Sequence, residues 1–392
     1  MRKKIKLGLL PKVIIAIALG LLLGNIVSSG IVQFFLTLND VFSNFLNFCI
    51  PLIIIGLVIP GIADMGQKAG KLLMITIILA YGFTLFSGFF TYFSCSRAYS
   101  HIITPDDNVI LNQNSTSDGL VPFFSIEMPP VFGVMTALIL AFVLGIGIAF
   151  SKGYILKDIF FDFKAIVELV ITKVIIPLLP LFIFGIFLNM SYSGSAFSII
   201  FLFGKVILVV FVLHVLLLII MYCIAGVITK RNPFKLMYHM LPAYITALGT
   251  SSSAATIPVT LRQTIKMGVD EDVADFCVPL CATIHLSGST MKITALSLAI
   301  CMMQGLPHNL LLYSGFICML GIVMVAAPGV PGGAIMASVA ILQSILHFDE
   351  NTIGLIIALY IAIDSFGTAC NVTGDGSIAL IVNKLSKRMT TK

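Results

Sequence analysis

Charged side chains are scarce in this sequence. Asp, Glu, Lys and Arg together make up 10% of its 392 residues and hydrophobic residues 59%, where soluble chains carry about 25% charged residues; the mean hydropathy is +1.09. A soluble globule has no way to hide that much apolar surface. Because apolar runs of about 20 residues, the length that crosses a bilayer, recur along the whole chain, a soluble enzyme with one anchor is excluded as well. A polytopic integral membrane protein remains. A cleavage motif is also lacking: the run from Val13 to Ile26 follows Arg2, Lys3, Lys4 and Lys6 in the manner of a signal peptide, but Gly20 and Gly24 lead into Asn25, so it reads as a retained first helix. Metal-like cysteine pairs are absent too. The eight cysteines (49, 95, 223, 277, 281, 301, 318, 370) fall mostly inside apolar segments without CxxC pairs, and Cys277 and Cys281, four apart, could share a helix face. They read as small buried apolar residues. The net charge of +6 calls for no nucleic acid, since the Lys and Arg sit in short loops and at the ends, as the positive-inside rule requires.

Apolar spans are expected near 10–28, 39–62, 70–95, 131–151, 171–192, 198–229, 273–303 and 351–383. A polar stretch from Cys95 to Pro130 carries Asp106, Asp107, Asp118 and Glu127 against one Arg97 and reads as an outside loop; its Asn114-Ser-Thr sequon would bear a glycan only in a eukaryotic secretory pathway. Cytoplasmic loops then hold Lys68 and Lys71, Lys152 and Lys157, and Lys230, Arg231 and Lys235. This alternation places both termini in the cytoplasm.

Two further apolar segments fail to cross. The first, about 236–261, is flanked by Lys230, Arg231 and Lys235 before it and Arg262 and Lys266 after it, so both ends belong on the cytoplasmic side. The second, about 310–346, runs from Pro307-His308 to Asp349-Glu350 without Lys or Arg at either end, which suits the outside. Each has a turn at its centre, "SSSAATIP" in one and "APGVPGG" in the other. Such turns are tolerated at membrane depth only where freed main-chain groups are buried in protein or line a wet cavity. Two re-entrant hairpins of opposite sidedness, each followed by a span with polar residues at its middle, are the pattern of inverted repeats with broken helices.

Those two spans carry the chemistry. "CATIHLSGSTMK" interrupts the seventh with Thr283, His285, Ser287, Ser289 and Lys292, and "DSFGTACNVTGDG" interrupts the eighth with Asp364, Thr368, Asn371, Thr373 and Asp375. An ionised group at bilayer depth costs roughly 2.5–3.5 kcal/mol even on a lenient scale, so three of them plus a histidine mark a site.

The run from Ser251 through "CATIHLSGST", with "APGVPGGAIM" and "DSFGTACNVTGDG", resembles the core of the dicarboxylate/amino acid:cation symporter family, the glutamate transporter homologues. The likeness is close over about 247–382 and rests on length and order for the first six spans. It implies an all-α membrane fold of about eight transmembrane helices plus two hairpins, assembled as a homotrimer and working as an elevator. Residues 1–230 would be mainly scaffold and trimerisation helices, with spans 3 and 6 moving with the transport core of 231–392. Carried over by motif, Ser252, Ser253 and Asn371 meet the substrate carboxylate, Asp364 takes its ammonium, and Thr368 and Ser289 line the pocket. Val330 and Gly332 form the outer gate. Asn371 and Asp375, with Thr283, hold sodium.

Departures from the family pattern sharpen the expectation. His285 and Ser287 replace an asparagine and an aspartate that hold another sodium, so fewer sodium sites are expected, and His285 is a candidate proton carrier. Gly367 stands where members with acidic substrates use an arginine, and Lys292 where a tyrosine is usual. If Lys292 pairs with Asp364 the pocket suits a small neutral amino acid; if it enters the room left by Gly367, as a point charge, acidic amino acids or dicarboxylates return. A lysine that only snorkels to an interface is the third option. An intramembrane aspartyl protease fits poorly, because Asp364 and Asp375 would lie about 16 Å apart on one helix and proton-sharing carboxylates must lie much closer. A channel-like relative that leaks anions is the remaining alternative.

Overall fold

Main-chain groups at membrane depth have to be satisfied within the chain, and helices do this locally. The computed structural model describes residues 9–67, 71–103, 120–151, 154–194, 196–327, 329 and 331–390, and every regular element among them is helical. The first seven helices are α1 (Leu9–Gly24), α2 (Ser29–Gln67), α3 (Lys71–Tyr99), α4 (Val134–Phe150), α5 (Ile155–Val170), α6 (Ile176–Tyr192) and α7 (Ala196–Thr229). A π-helical turn, Ile171–Ile175, joins α5 to α6. Then come α8 (Pro233–His239), α9 (Leu241–Thr250), α10 (Ser253–Lys266), α11 (Glu271–Ile284), α12 (Ser287–Gln304), α13 (Leu310–Ala326), α14 (Gly333–Leu346), α15 (Glu350–Ala362) and α16 (Asp364–Thr390). The basic residues 2–6, Lys68, Lys152, Asp106, Asp107, Asp118 and the Asn114 sequon lie outside the described residues, as does Val330.

Helix starts follow the expected chemistry. Asn309 Oδ1 accepts from Leu312 N at 3.0 Å at the head of α13, and Asp349 Oδ1 accepts from Thr352 N at 2.8 Å at the head of α15, each capping an orphan donor. All eight expected spans are helical, with different limits. Helix α2 begins ten residues before position 39 (39 − 29 = 10), and the polar pair there is satisfied by the chain itself: Asn39 Nδ2 donates to Phe182 O at 3.2 Å, and Asp40 Oδ2 accepts from Ser125 Oγ at 2.6 Å. The fifth span starts at Ile155, giving 38 residues to Tyr192. Lys157 was expected in a loop, but it belongs to α5, whose Phe163 and Val167 pack on Gly56 of α2. Among the described residues, five helical stretches are long and apolar enough to cross a membrane, two of them joining α5 to α6 and α11 to α12, and the bent pair α15 and α16 makes a sixth; α1 and α4 are shorter apolar helices.

Both hairpins appear, and both are broken at the tip. Arms α9 and α10 meet at Ser251 and Ser252, with Ser251 in the left-handed region at φ 50°. Arms α13 and α14 meet at a segment ending in Gly332, φ 75°, where a glycine carries no penalty. The span after each hairpin is broken as well, α11 from α12 at His285 and Leu286, and α15 from α16 at Ile363 with a bend of 62°. Helix α2 packs on α4, α5 and α6, and α1 on α6, whereas α3 packs on α12 and α13, and α7 on α16. From Ser287 to Cys301 every residue of α12 is buried. The most polar spans are therefore held deepest.

Candidate functional site

The two hairpin tips touch. Ser252 Oγ donates to Gly329 O at 2.9 Å, while the same oxygen caps α10 by accepting from Ala255 N at 3.3 Å. Beneath the contact lies a cavity with room for about 20 Å3 of water-sized occupants, lined by Ser251, Ser253, Ser289, Tyr360, Asp364, Thr368 and Asn371 together with Leu286, Gly329 and Ala334. Ser251, Ser253 and Gly329 bring both hairpins to its edge.

Antiparallel helices α12 and α16 form its floor. They approach closely at Gly288, where an added Cβ would stand 2.6 Å from Gly367 O and 2.7 Å from Cys370 Cβ. That approach lets Asn371 Oδ1 accept from Gly288 N at 2.7 Å, and Asn371 Nδ2 donates to Ser289 Oγ at 3.1 Å. Tyr360 OH also donates to Ser289 Oγ, at 3.0 Å. With both lone pairs of Ser289 Oγ used, its own hydrogen is left to donate. Thr368 Oγ1 donates to Asp364 O at 3.1 Å.

Two buried side-chain pairs cross between the broken spans. Lys292 Nζ lies 3.1 Å from Asp364 Oδ1, and His285 Nδ1 lies 2.8 Å from Asp375 Oδ1. Lys292 and His285 are fully buried and Asp375 is 1% exposed, so water does not screen these contacts. Lys292 Nζ also sits 3.7 Å over the Tyr360 ring, a cation–π contact, and within 3.4 Å of the carbonyls of Ile363 and Asp364. The second oxygen of Asp364 accepts from Gly332 N at 2.8 Å. The lysine does not line the cavity; it stands behind it, its stem in the space over Gly367, where a Cβ would overlap Lys292 Cε.

Of the residues singled out by sequence, Ser253, Ser289, Asp364, Thr368 and Asn371 come together around the cavity, with Ser252 and Gly332 at its roof. Thr283 does not join them. It is exposed, and its hydroxyl donates to Leu280 O at 2.7 Å. The expected sodium donors therefore do not gather: Asn371 Oδ1 is occupied by a main-chain amide, one oxygen of Asp375 is occupied by an imidazole, and Asp375 Oδ2 is a buried acceptor with no donor among the described residues. These side chains do not fit a sodium cage as placed. Tyr360 is the residue sequence reading missed. Its signal was faint, one polar-tipped aromatic in the apolar run four residues before Asp364.

Broken hairpins that close on each other over a buried, carboxylate-bearing pocket between two broken spans define a membrane carrier of the inverted-repeat kind. The particular family follows from comparison. The profile of the sodium:dicarboxylate symporter family matches residues 9–385, and the chain belongs to that family. Mouse excitatory amino acid transporter 4 is 33% identical over 162 residues, 41% of this chain and 29% of that protein. Human excitatory amino acid transporter 2 is 33% identical over 166 residues, 41% and 28%, and mouse excitatory amino acid transporter 3 is 33% identical over 176 residues, 44% and 33%. The matched stretch thus covers about a third or less of each relative's length. The resemblance carried by the hairpin and TGDG motifs holds, and the family is one of transporters, not enzymes. The protease alternative falls on geometry too, since Asp364 and Asp375 each have a different partner.

Proposed function

We propose that the protein is a secondary active symporter that imports a small neutral amino acid across the cell membrane, driven by a gradient of sodium, protons or both. The observation that carries the neutral reading is the contact between Lys292 and Asp364 at 3.1 Å, made with Gly367 beside it where an arginine would otherwise face a side-chain carboxylate. Among the described residues, the one fixed cation beside the cavity is already matched by the one fixed anion lining it. A zwitterion adds no net charge to such a pocket, whereas an acidic side chain would find no free cation lining it.

In this reading Asp364 takes the substrate ammonium on Oδ2 once Gly332 N has withdrawn, and Ser253, Ser289 and Asn371 offer donors to the carboxylate. Ser252, Val330 and Gly332 belong to the gates. Residues 231–392 form the moving core, with α3 and α7 packed on it, and the helices around α2 form the scaffold of a homotrimer whose termini face the cytoplasm. Asp375 and His285 are the candidate cation-coupled pair, for a proton where the side chains do not cage sodium.

A second reading, an acidic amino acid or dicarboxylate held by Lys292, draws support from the dicarboxylate in the family's description. A thermal-shift screen of the purified protein against neutral amino acids, acidic amino acids and dicarboxylates, each with and without sodium, separates the two. Stabilisation by serine or alanine, with none from aspartate or succinate, is the expected result; the reverse pattern makes the acidic reading the right one.

A further inference from the structure

The contacts of Asp364 extend beyond charge balance. Its two oxygens face opposite ways, Oδ1 to Lys292 Nζ at 3.1 Å and Oδ2 to Gly332 N at 2.8 Å. Lys292 belongs to α12, Asp364 opens α16, and Gly332 is the last tip residue of the outer hairpin. One carboxylate thus links the deepest helix of the core to the outer gate.

Lys292 is placed to aim that carboxylate. Its ammonium sits at the junction of α15 and α16, close to the carbonyl of Ile363, which caps the end of α15, and to that of Asp364, which opens α16. A cation at a helix C-terminus and an anion at a helix N-terminus are each favoured by the helix dipoles, so the bend and the pair support each other. The Tyr360 ring lies under the ammonium at 3.7 Å, and the absent side chain of Gly367 gives the stem its space. Swinging the carboxylate away from Gly332 would strip Lys292 of its only anionic partner among the described residues, at full burial.

Every partner that Asp364 needs when the outer hairpin is shut is therefore supplied by the chain itself. We propose that Lys292 is a positioning residue of the transport cycle: it holds Asp364 turned toward Gly332, so that the outer hairpin latches over the site without cargo and the core can return across the membrane unloaded. The proposal rests on the transporter reading. It makes the protein a net importer and not an obligatory exchanger, with no counter-transported cation required to neutralise Asp364 on the way back.

Proteoliposomes loaded with labelled L-serine test this with two rates from one preparation: exchange against external unlabelled serine, and net efflux into buffer of the same ions without serine. Absence of wild-type exchange would count against serine as cargo, and the pair of rates is then taken with whichever amino acid stabilises the protein in the thermal screen. Wild-type net efflux within a few-fold of exchange is expected. Lys292→Met should lower net efflux at least tenfold more than it lowers exchange, and Gly367→Ala, which displaces the lysine, should do the same. Equal loss of both rates in folded variants, or no change in either, overturns the proposal. If neither variant folds, hydrogen exchange of the 331–336 peptide in the wild-type protein decides: protection in serine-free buffer supports the latch, and full exchange refutes it.

Discussion

Asp364 is the residue on which the site turns, and its environment sets what a substitution does. Asp364→Asn leaves Lys292 buried without its counter-charge, which should cost about 3–5 kcal/mol of stability, and it removes the group assigned to the substrate ammonium. The expected outcome is loss of uptake with a lowered thermal midpoint in detergent. Adding Lys292→Met to that variant should recover much of the midpoint, because no unpaired charge remains, without restoring uptake; full uptake in Asp364→Asn would sink the assignment. Tyr360→Phe keeps the ring beneath Lys292 and removes one donor to Ser289, so about 1 kcal/mol, a few-fold weakening of serine binding by titration calorimetry, is expected. These two residues also show what was legible. An aspartate inside an apolar span announces itself by its cost, whereas a tyrosine there is ordinary until its neighbours across the fold are known. Whether Lys292 met Asp364 or the room over Gly367 was open in the sequence; it does both, its stem and ammonium filling that room while the ammonium reaches Asp364.

At the scale of elements, the hairpins were legible because Ser, Pro and Gly runs stand out against apolar arms and because flanking charge keeps both ends of each on one expected side. The start of the fifth span was not. Lys157 of α5 reads as a loop residue in one dimension, and only the packing of Phe163 and Val167 on Gly56 decides for a helix. The approach of α12 to α16 was equally hidden, since it depends on Gly288 meeting residues some 80 positions later. Gly288→Ala should shift the helices apart and lower stability by about 1–3 kcal/mol. Gly147→Ala in α4, where nothing lies within 4 Å of an added Cβ, should be neutral or raise stability by up to about 1 kcal/mol. Thermal unfolding of the two side by side is the check; equal effects would show that the interhelical approach is not as tight as described.

For the whole molecule, order and class were readable from hydropathy and charge alone, and the family match over residues 9–385 agrees with them. The sodium set was not readable, because a list of oxygen-bearing residues says nothing about which oxygens are already engaged. Thr283 turned outward, and His285 took an oxygen of Asp375. Uptake into vesicles under a sodium gradient alone, a proton gradient alone and neither should therefore show a proton-driven component; uptake that ignores both gradients would remove symport as the activity. Chemical cross-linking in native membranes should yield a ladder ending at three subunits if the scaffold helices assemble as proposed.

The crossing of contacts between the two hairpin-and-span units has an evolutionary consequence. Lys292 answers to Asp364 and Gly367, His285 to Asp375, and Ser289 to Tyr360 and Asn371, so the chemistry of each unit is completed by the other. Neither half can drift alone. Lineages descended from this chain should change position 292 and position 367 together, with a bulkier residue appearing at 367 only where the lysine has gone, and a gene cut between residues 306 and 309 should give two fragments that mature only when both are made in the same cell.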